Sequence, residues 1–291
     1  MAEEDAAPPG SLTPVDPNLA ARARSRDFDR YLTALFAPAE RRPALFALIT
    51  FNDEIARIRE AVTQPILGQI RLQWWRDALE QIFAGRPPAH VVAQALAAAL
   101  TKFGLDRTLL EQMIDARETD LSPDPPAHIE DLLSYATETA GSLVELMLQA
   151  LGVTDETSLK VGRSVGTAYA LVGLIRAIPF HARARRVYLP QSILADQGLT
   201  SDDLFHSTPP STLKGAVSEV VGIARLHLVE AREHASALPS QATPALLSAT
   251  VAETYLRRIE HAGYDVFATS VSQRPPAMVW RLAVKAWTSR W

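Results

Sequence analysis

Apolar residues recur at helical spacing along almost the whole chain, and this pattern restricts the fold more than any other feature. From Pro38 onward the spacing follows the helical period, and no sustained alternation of period two indicates a strand. The sequence therefore predicts an all-α protein. The predicted helices cover residues 19–36, 39–62, 65–84, 90–103, 106–121, 128–151, 155–181, 211–238, 243–261 and 276–289.

Several helix ends carry a recognisable signal. Gly85, Gly104 and Gly152 fall where a left-handed residue commonly closes a helix, and Asp106 and Thr154 can accept the first free amides of the helices that follow. The segment 182–210 is the longest stretch without clear periodicity. Long irregular segments inside compact domains are often functional, so this one is a candidate part of a site.

The length of 291 residues fits one large helical domain or two closely packed halves, and we favour one domain over 19–291. Residues 1–18 are acidic and rich in proline, which predicts a disordered tail and neither a secretory signal nor a transit peptide. No uncharged apolar run reaches the ~18 residues of a spanning helix. We expect a protein of the cytoplasm, with peripheral contact at the inner membrane face as an option.

Charge and cysteine content exclude several functions. The formal net charge of -4 offers no field that would attract a nucleic acid. The chain has no cysteine, so disulfides, thiolate nucleophiles and cysteine-bound zinc are excluded, and the scattered histidines do not predict a metal site.

Two segments have the spacing of facing diphosphate-binding helices but have lost acidic residues. A magnesium–diphosphate site needs carboxylates at i and i+4 on two facing helices. In FALITFNDEIARIRE, Asp53 and Glu54 are followed by Arg57, whose spacing from Asp53 favours an internal ion pair over a metal clamp. In TAYALVGLIRAIPFHARARRVYLP, Ala177 offers no ligand and His181 is a poor ligand for Mg²⁺.

Other carboxylates leave alternatives open. Asp115 and Glu118 lie three residues apart near a helix end, which fits a solvated face or the wall of a cavity. Glu138 lies among small residues that permit close packing, so it could face an interior cavity or the surface.

Glycines and arginines near the second segment also allow two interpretations each. Gly162, Gly166 and Gly173 in one helix indicate close helix contact, which we favour, or room for a ligand. Four arginines lie close together after these glycines, and we favour an exposed basic loop over a specific anion site for them. They are Arg176, Arg183, Arg185 and Arg186.

The C-terminal helix combines tryptophans with cations. Simple packing against the body is the default, and the alternative is docking on a membrane surface or a partner. The residues are Trp280, Trp287 and Trp291 with Arg281, Lys285 and Arg290.

Four segments together resemble the squalene and phytoene synthase family, over nearly all of residues 22–265. They are RDFDRYLTALFAPAERRPALFALITFNDEIA, IRLQWWRDAL, YATETAGSLVELMLQALG and GLIRAIPFHARARRVYLP. The resemblance implies an isoprenoid-synthase-type fold around a central cavity. Members of the family join two prenyl diphosphates there and use two aspartate-rich motifs that bind Mg²⁺.

Matched residue by residue, the family motifs are degenerate in this chain. The first motif falls on Asp53, Glu54 and Arg57, so its last acidic place is lost. In the second, Gly173 replaces an asparagine, Arg176 is kept, and both aspartates are replaced, by Ala177 and His181. By resemblance, the candidate substrate-binding residues are Asp53, Glu54, Arg176, Arg186 and Tyr188.

This pattern is similar to a divergent branch of the family represented by a mitochondrial assembly factor for respiratory complex I. The leading hypothesis is a protein that no longer condenses prenyl diphosphates, needs no cofactor and assists assembly of a membrane complex. It could hold a prenyl diphosphate, a lipid or another anionic ligand.

Two alternatives remain. One is an active condensing transferase with a rearranged Mg²⁺ site, built from Asp53, Glu54, Asp115, Glu118 or Glu138. The other is a peripheral lipid-binding module that uses the tryptophan-rich C-terminal helix.

Overall fold

The computed structural model describes residues 17–206, 210–288 and 290–291, and every regular element within them is helical. The all-α prediction is confirmed. The α-helices are α1 (Pro17–Arg26), α2 (Phe28–Ala34), α3 (Arg42–Ala56), α4 (Pro65–Phe83), α5 (Val91–Phe103), α6 (Arg107–Ala116), α7 (Ile129–Ala136), α8 (Ser142–Ala150), α9 (Glu156–Arg176), α10 (Ile178–Arg183), α11 (Gln191–Asp196), α12 (Leu213–Glu233), α13 (Thr243–His261), α14 (Thr269–Ser272) and α15 (Met278–Trp287).

Short turns of other helical types join these elements. A π turn links α7 directly to α8, and 3₁₀ turns follow α3, α6, α11 and α12. These turns are Thr137–Gly141 (π) and Arg59–Ala61, Thr119–Leu121, Ser201–Phe205, Ala235–Ala237 and Ser240–Ala242 (3₁₀).

Most of the predicted end signals are confirmed. Gly85, Gly104 and Gly152 have φ angles of 73°, 63° and 85°, in the left-handed region that glycine enters without strain. The Asp106 carboxylate accepts the Thr108 amide at 2.7 Å. The prediction for Thr154 is wrong by one residue, because Asp155 accepts the Ser158 amide at 2.9 Å.

Several of the long predicted helices are interrupted. The segment 19–36 breaks at Asp27, whose side chain caps α2 through the Arg30 amide. The segment 155–181 breaks at Ala177, because Pro179 has no amide hydrogen for the helical ladder. The prediction of an irregular segment at 182–210 is wrong in part, because the segment contains α11 and the turn Ser201–Phe205. Residues 207–209 lie outside the described residues.

The helix α9 is central to the core and packs against α8, α12, α13 and the π turn. A Cβ on Gly166 would lie 2.2 Å from the Ala140 carbonyl oxygen, and one on Gly162 would lie 2.4 Å from Leu148 Cδ1. Both glycines therefore serve close helix contact, as favoured. At Gly173 no atom lies within 4 Å of the added Cβ, so this position has room beside it.

The helix α3 carries the first motif at its C-terminal end. Its side chains from Ala44 to Asn52 are buried against α1, α5 and α8. Full burial of an aliphatic or aromatic side chain contributes about 1.5–3 kcal/mol, so a run that includes Leu45, Leu48 and Phe51 fixes the position of this helix. Asp53 and Glu54 follow directly on the buried run.

The two ends of the chain bear on two further predictions. Residues 1–16 of the predicted tail lie outside the described residues, and Pro17 and Asn18 already belong to α1. At the other end Trp280 and Trp287 are exposed, but Trp291 is buried, so the three tryptophans do not share one exposed face. Within the described ranges, no helix combines the length and hydropathy that crossing a bilayer requires.

Candidate functional site

A cavity of about 410 Å³ lies at the C-terminal end of α3 and contains Asp53 and Glu54. We call it the motif cavity. Cationic side chains from α1, the end of α3 and α4 surround the two carboxylates, and His90 and Trp74 complete the wall. The cations are Arg22, Arg26, Arg57 and Arg71.

Each motif carboxylate has two basic side chains as neighbours. Asp53 lies 3.9 Å from Arg26 Nε and 3.9 Å from Arg57 Nη1. The ion pair predicted between Asp53 and Arg57 is therefore present, with a long distance between the charged atoms. Glu54 accepts a hydrogen bond from Arg22 Nη2 at 3.1 Å and lies 3.5 Å from His90 Nε2. The two arginines of α1 were not predicted from the sequence.

Burial raises the pKa of the Asp53 and Glu54 carboxyl groups, and the neighbouring arginines offset this only in part. A divalent cation placed between the two carboxylates would be repelled by guanidinium groups already paired with them. The motif cavity therefore has the carboxylates of a metal site but the charge balance of an ion-pair cluster.

The second motif does not supply the missing ligands. Ala177 ends α9 with a methyl group. His181, on α10, packs against the Tyr188 ring with centroids 4.7 Å apart and the ring planes tilted by 57°, and burial lowers the pKa of its imidazole to about 4. Among the described residues, no three histidine, aspartate or glutamate side chains are grouped as ligands for a metal ion. The residues present do not fit the Mg²⁺ ions of the family.

A second cavity, of about 480 Å³, contains His181, Arg186 and Tyr188. We call it the Asp120 cavity, after the carboxylate in its wall. Asp120 is only 3% exposed and accepts hydrogen bonds from Tyr188 at 2.6 Å and Tyr135 at 2.9 Å. Arg186 donates to the backbone carbonyl of Asp120.

Arg117 links this cluster to α3. Its guanidinium donates to the Tyr135 hydroxyl at 2.5 Å, to Asp120 at 3.4 Å and to the Asn52 amide oxygen at 3.3 Å. Burial raises the pKa of both tyrosine hydroxyl groups, which stay protonated and donate to Asp120.

Two arginines that line this cavity each have a nitrogen donor without a hydrogen-bond partner in the described part of the chain. The Nε atoms of Arg59 and Arg117 are buried there without a hydrogen bond. A buried donor without a partner costs free energy, about 1–3 kcal/mol. With neutral His181, the arginines of the wall (Arg59, Arg117 and Arg186) outnumber its acids (Asp120 and Glu60).

Arg176, the arginine that the second motif retains, lies in a third cluster. Its guanidinium stacks 3.3 Å from the centre of the Tyr255 ring, and the Tyr255 hydroxyl donates to Asp29 at 3.1 Å. Burial raises the pKa of Tyr255 to about 12. Arg176 is not among the residues lining the motif cavity or the Asp120 cavity. The five predicted site residues are thus divided among three places.

The remaining alternatives are resolved by position. Asp115 and Glu118 are exposed and both accept Arg76 Nη2 at 2.6 Å, so they form a solvated face. Glu138 is half-buried in the π turn and accepts the Ser134 hydroxyl at 2.7 Å.

The arginines of the predicted basic loop differ in exposure. Arg183 and Arg185 are exposed, in agreement with a basic loop, whereas Arg186 turns inward to Asp120.

Sequence reasoning missed several residues of both cavities. Arg22 and Arg26 are four residues apart, on a helix whose Leu19 and Ala23 are buried, so the spacing could have identified a basic face of α1. Asp120 had no comparable signal, because nothing local distinguishes it from Asp115 in the same segment. Arg59 and Arg117 also passed unnoticed.

Comparison with known proteins gives a consistent result. A family model described as squalene/phytoene synthase matches residues 23–287. The complex I assembly factor 6 of Rattus norvegicus is 32% identical over 268 residues, which cover 92% of this chain and 80% of that protein. The chloroplastic phytoene synthase 1 of Zea mays is 25% identical over 245 residues, covering 81% and 59%.

A solved structure confirms the predicted isoprenoid-synthase-type fold. The crystal structure of a dehydrosqualene synthase superposes with a TM-score of 0.81 and covers 93% of this chain and 94% of its own. The two sequences are 16% identical, so the likeness concerns the fold alone.

Proposed function

The chain belongs to the squalene/phytoene synthase family, and we propose that it no longer performs the Mg²⁺-dependent condensation but assists assembly of a respiratory NADH:quinone oxidoreductase. The proposal rests on the residues that occupy the acidic positions of the two motifs. Asp53 and Glu54 are paired with arginines and a histidine, and the second motif has Ala177 and His181 at its two acidic positions.

The loss of condensation follows from the charges. Ionisation of a prenyl diphosphate needs cations that stabilise the leaving diphosphate, and in the family Mg²⁺ bridges it to acidic residues. Here the motif carboxylates already pair with Arg22, Arg26 and Arg57, and the second motif supplies no acid at positions 177 and 181. We therefore expect no metal cofactor.

The assembly role comes from the relatives. The rat protein that is 32% identical to this chain over 268 residues is named as an assembly factor of complex I, and it matches more of this chain than the maize synthase does. We propose the same role here, with a subunit of that membrane complex as the partner. The place of action is the cytoplasm or the inner membrane face.

The Asp120 cavity is the proposed ligand site. Its excess of arginine and the unpartnered Nε atoms of Arg59 and Arg117 favour an anionic group such as a diphosphate or a lipid phosphate. Asp120, Tyr135 and Tyr188 hold Arg117 in place, so the site is ordered before a ligand arrives.

Two experiments test the function. Purified protein is incubated with farnesyl or geranylgeranyl diphosphate, Mg²⁺ and NADPH, and we expect no condensation product; turnover at an ordinary enzymatic rate contradicts the proposal. The chain, fitted with a mitochondrial targeting sequence, is also expressed in rat cells that lack assembly factor 6. Native gels are expected to show restored complex I, and no restoration argues against the assembly role.

The alternative function is an active condensing transferase with a rearranged Mg²⁺ site. The retained acids Asp53 and Glu54 favour it, whereas Asp115 and Glu118 lie outside the motif cavity, paired with Arg76. A crystal soaked with Mg²⁺ and a diphosphate analogue decides between the two functions. Ordered metal on at least two carboxylates supports the transferase, and a diphosphate held by arginines without metal supports our proposal.

A further inference from the structure

The C-terminal helix α15 has two different faces. Met278 and Leu282 are fully buried where α15 packs against α13, and Trp291 is buried beyond its end. These three side chains anchor the helix on the body of the protein. Its other face is therefore a fixed part of the surface and not a fraying end.

The outward face is apolar and aromatic. Trp280 is 75% exposed, Val284 57% and Trp287 88%, and their spacing of four and three residues places them in one row. A tryptophan buries about 150–250 Å² when it is covered, so two exposed indoles leave a large apolar area in water. Such a row on a helix that is already packed indicates a surface that is covered in use.

Cations lie beside this row. Two grooves of about 350 and 620 Å³ adjoin α15, and their walls include Arg257, Arg258, Arg281 and Lys285. The side chains of Arg281 and Lys285 form no hydrogen bond or ion pair with any described residue. The acid of the first groove, Glu253, is already held by Arg232 and Arg257. The formal charge of the whole chain is -4, so this positive surface is local.

We propose that this face of α15 docks on an anionic phospholipid bilayer, with Trp280 and Trp287 at the interface and Arg281 and Lys285 on headgroup phosphates. Indole rings prefer the boundary between headgroups and acyl chains, and cations next to them are attracted by anionic lipids. The helix would lie in the plane of the membrane.

A second copy of the chain fits this face less well. A symmetric dimer through α15 would pack the same patch on both subunits and would bring Arg281 and Lys285 close to their own counterparts. Bilayer phosphates instead supply the opposite charge over an extended plane. The proposal does not depend on the proposed function, since the face lies outside both cavities.

Vesicle flotation of the full-length protein tests the proposal. We expect binding to phosphatidylcholine vesicles that contain phosphatidylglycerol, weaker binding to phosphatidylcholine alone, and release at high salt. The Trp280→Ala/Trp287→Ala variant is expected to bind about 10-fold more weakly to both vesicle types. Arg281→Gln/Lys285→Gln is expected to lose roughly 10-fold on the anionic vesicles only.

The matched control is Ile66→Ala/Ile70→Ala, which removes two exposed apolar side chains of α4. It is expected to bind like the unchanged protein, and circular dichroism is expected to show equal helix content in all variants. Absence of vesicle binding overturns the proposal, as does equal binding by the tryptophan variant. So does a dimer in solution that only the tryptophan variant dissociates, because the face would then belong to a second copy.

Discussion

The motif cavity and the Asp120 cavity both hold carboxylates among arginines, but they differ in how deeply the ion pairs are buried. Asp53 and Glu54 have 17% and 21% of their side chains exposed, and their α1 partners Arg26 and Arg22 have 50% and 45%. In the Asp120 cavity the corresponding fractions are 5% for Asp120 and 11% for Arg117.

This difference in burial indicates which of the two clusters contributes more to the stability of the fold. Exposed ion pairs are screened by water and contribute about 0–1 kcal/mol. Removal of one partner from a buried pair leaves an uncompensated charge and costs about 3–5 kcal/mol. The motif carboxylates, which would be catalytic in a condensing enzyme, are held weakly here, whereas Asp120 is held firmly by side chains from α7 and the segment after α10.

The largest expected effect is that of Asp120→Ala. The change leaves Arg117 buried without its carboxylate and removes the acceptor of two tyrosine hydroxyl groups. We expect the free energy of unfolding to fall by about 3–5 kcal/mol, measured by urea denaturation.

Asp120→Asn is the matched control for this change. It keeps an oxygen for the tyrosines and removes the charge, so its loss is expected to lie between zero and that of Asp120→Ala. A loss below about 1 kcal/mol for Asp120→Ala would contradict the contrast between the cavities.

A smaller effect is expected from pH, through His181 in the Asp120 cavity. Its folded-state pKa of about 4 is below the ordinary value of 6.5, so the fold favours the neutral imidazole. The stability from this group is complete above pH 6.5 and is lost as the pH falls through about 4. Because the ring is half-buried, we expect a contribution of the order of 1 kcal/mol.

His181→Gln tests this contribution, because the variant keeps a polar side chain that does not titrate. The unfolding free energies of the variant and the unchanged protein are compared by urea denaturation between pH 7 and pH 4. The difference between them is expected to shrink or change sign toward pH 4. A constant difference would contradict the predicted contribution of His181. The pKa values of Asp53 and Glu54 are shifted in the opposite direction, but both residues are present in both proteins, so their effect cancels in the comparison.

The fold could be predicted from the sequence because helical periodicity is a local property. The ends at Gly85, Gly104 and Gly152 follow from the freedom of glycine at positive φ. The break at Ala177 was within reach, since Pro179 is visible in the sequence. The π turn at Thr137–Gly141 was not predicted. It lies where Gly166 of α9 closely approaches Ala140 and Gly141, a tertiary contact that the local sequence does not display.

The site was predicted only where a motif marks it. Asp53, Glu54 and Arg57 were identified together, and the ion pair between Asp53 and Arg57 is present. Asp120 was missed in favour of Asp115 and Glu118, because its partners Tyr135 and Tyr188 are distant in sequence. Burial of a carboxylate depends on such tertiary contacts, which a single sequence does not display.

The smallest expected effect is that of Arg22→Ala in the motif cavity. Arg22 is nearly half exposed, and burial raises the pKa of its partner Glu54, so the ionised pair is formed against a desolvation cost. We expect a change in unfolding free energy within about 0.5 kcal/mol, and a similar value for Glu54→Gln. Asp202→Asn, which removes the exposed ion pair between Arg185 and Asp202, is the matched control. A double-mutant cycle over Arg22 and Glu54 measures their coupling directly. A coupling above about 2 kcal/mol would place the motif cavity in the same class as the Asp120 cavity. The arginines of α1 would then be structural replacements for a metal and not loosely held neighbours.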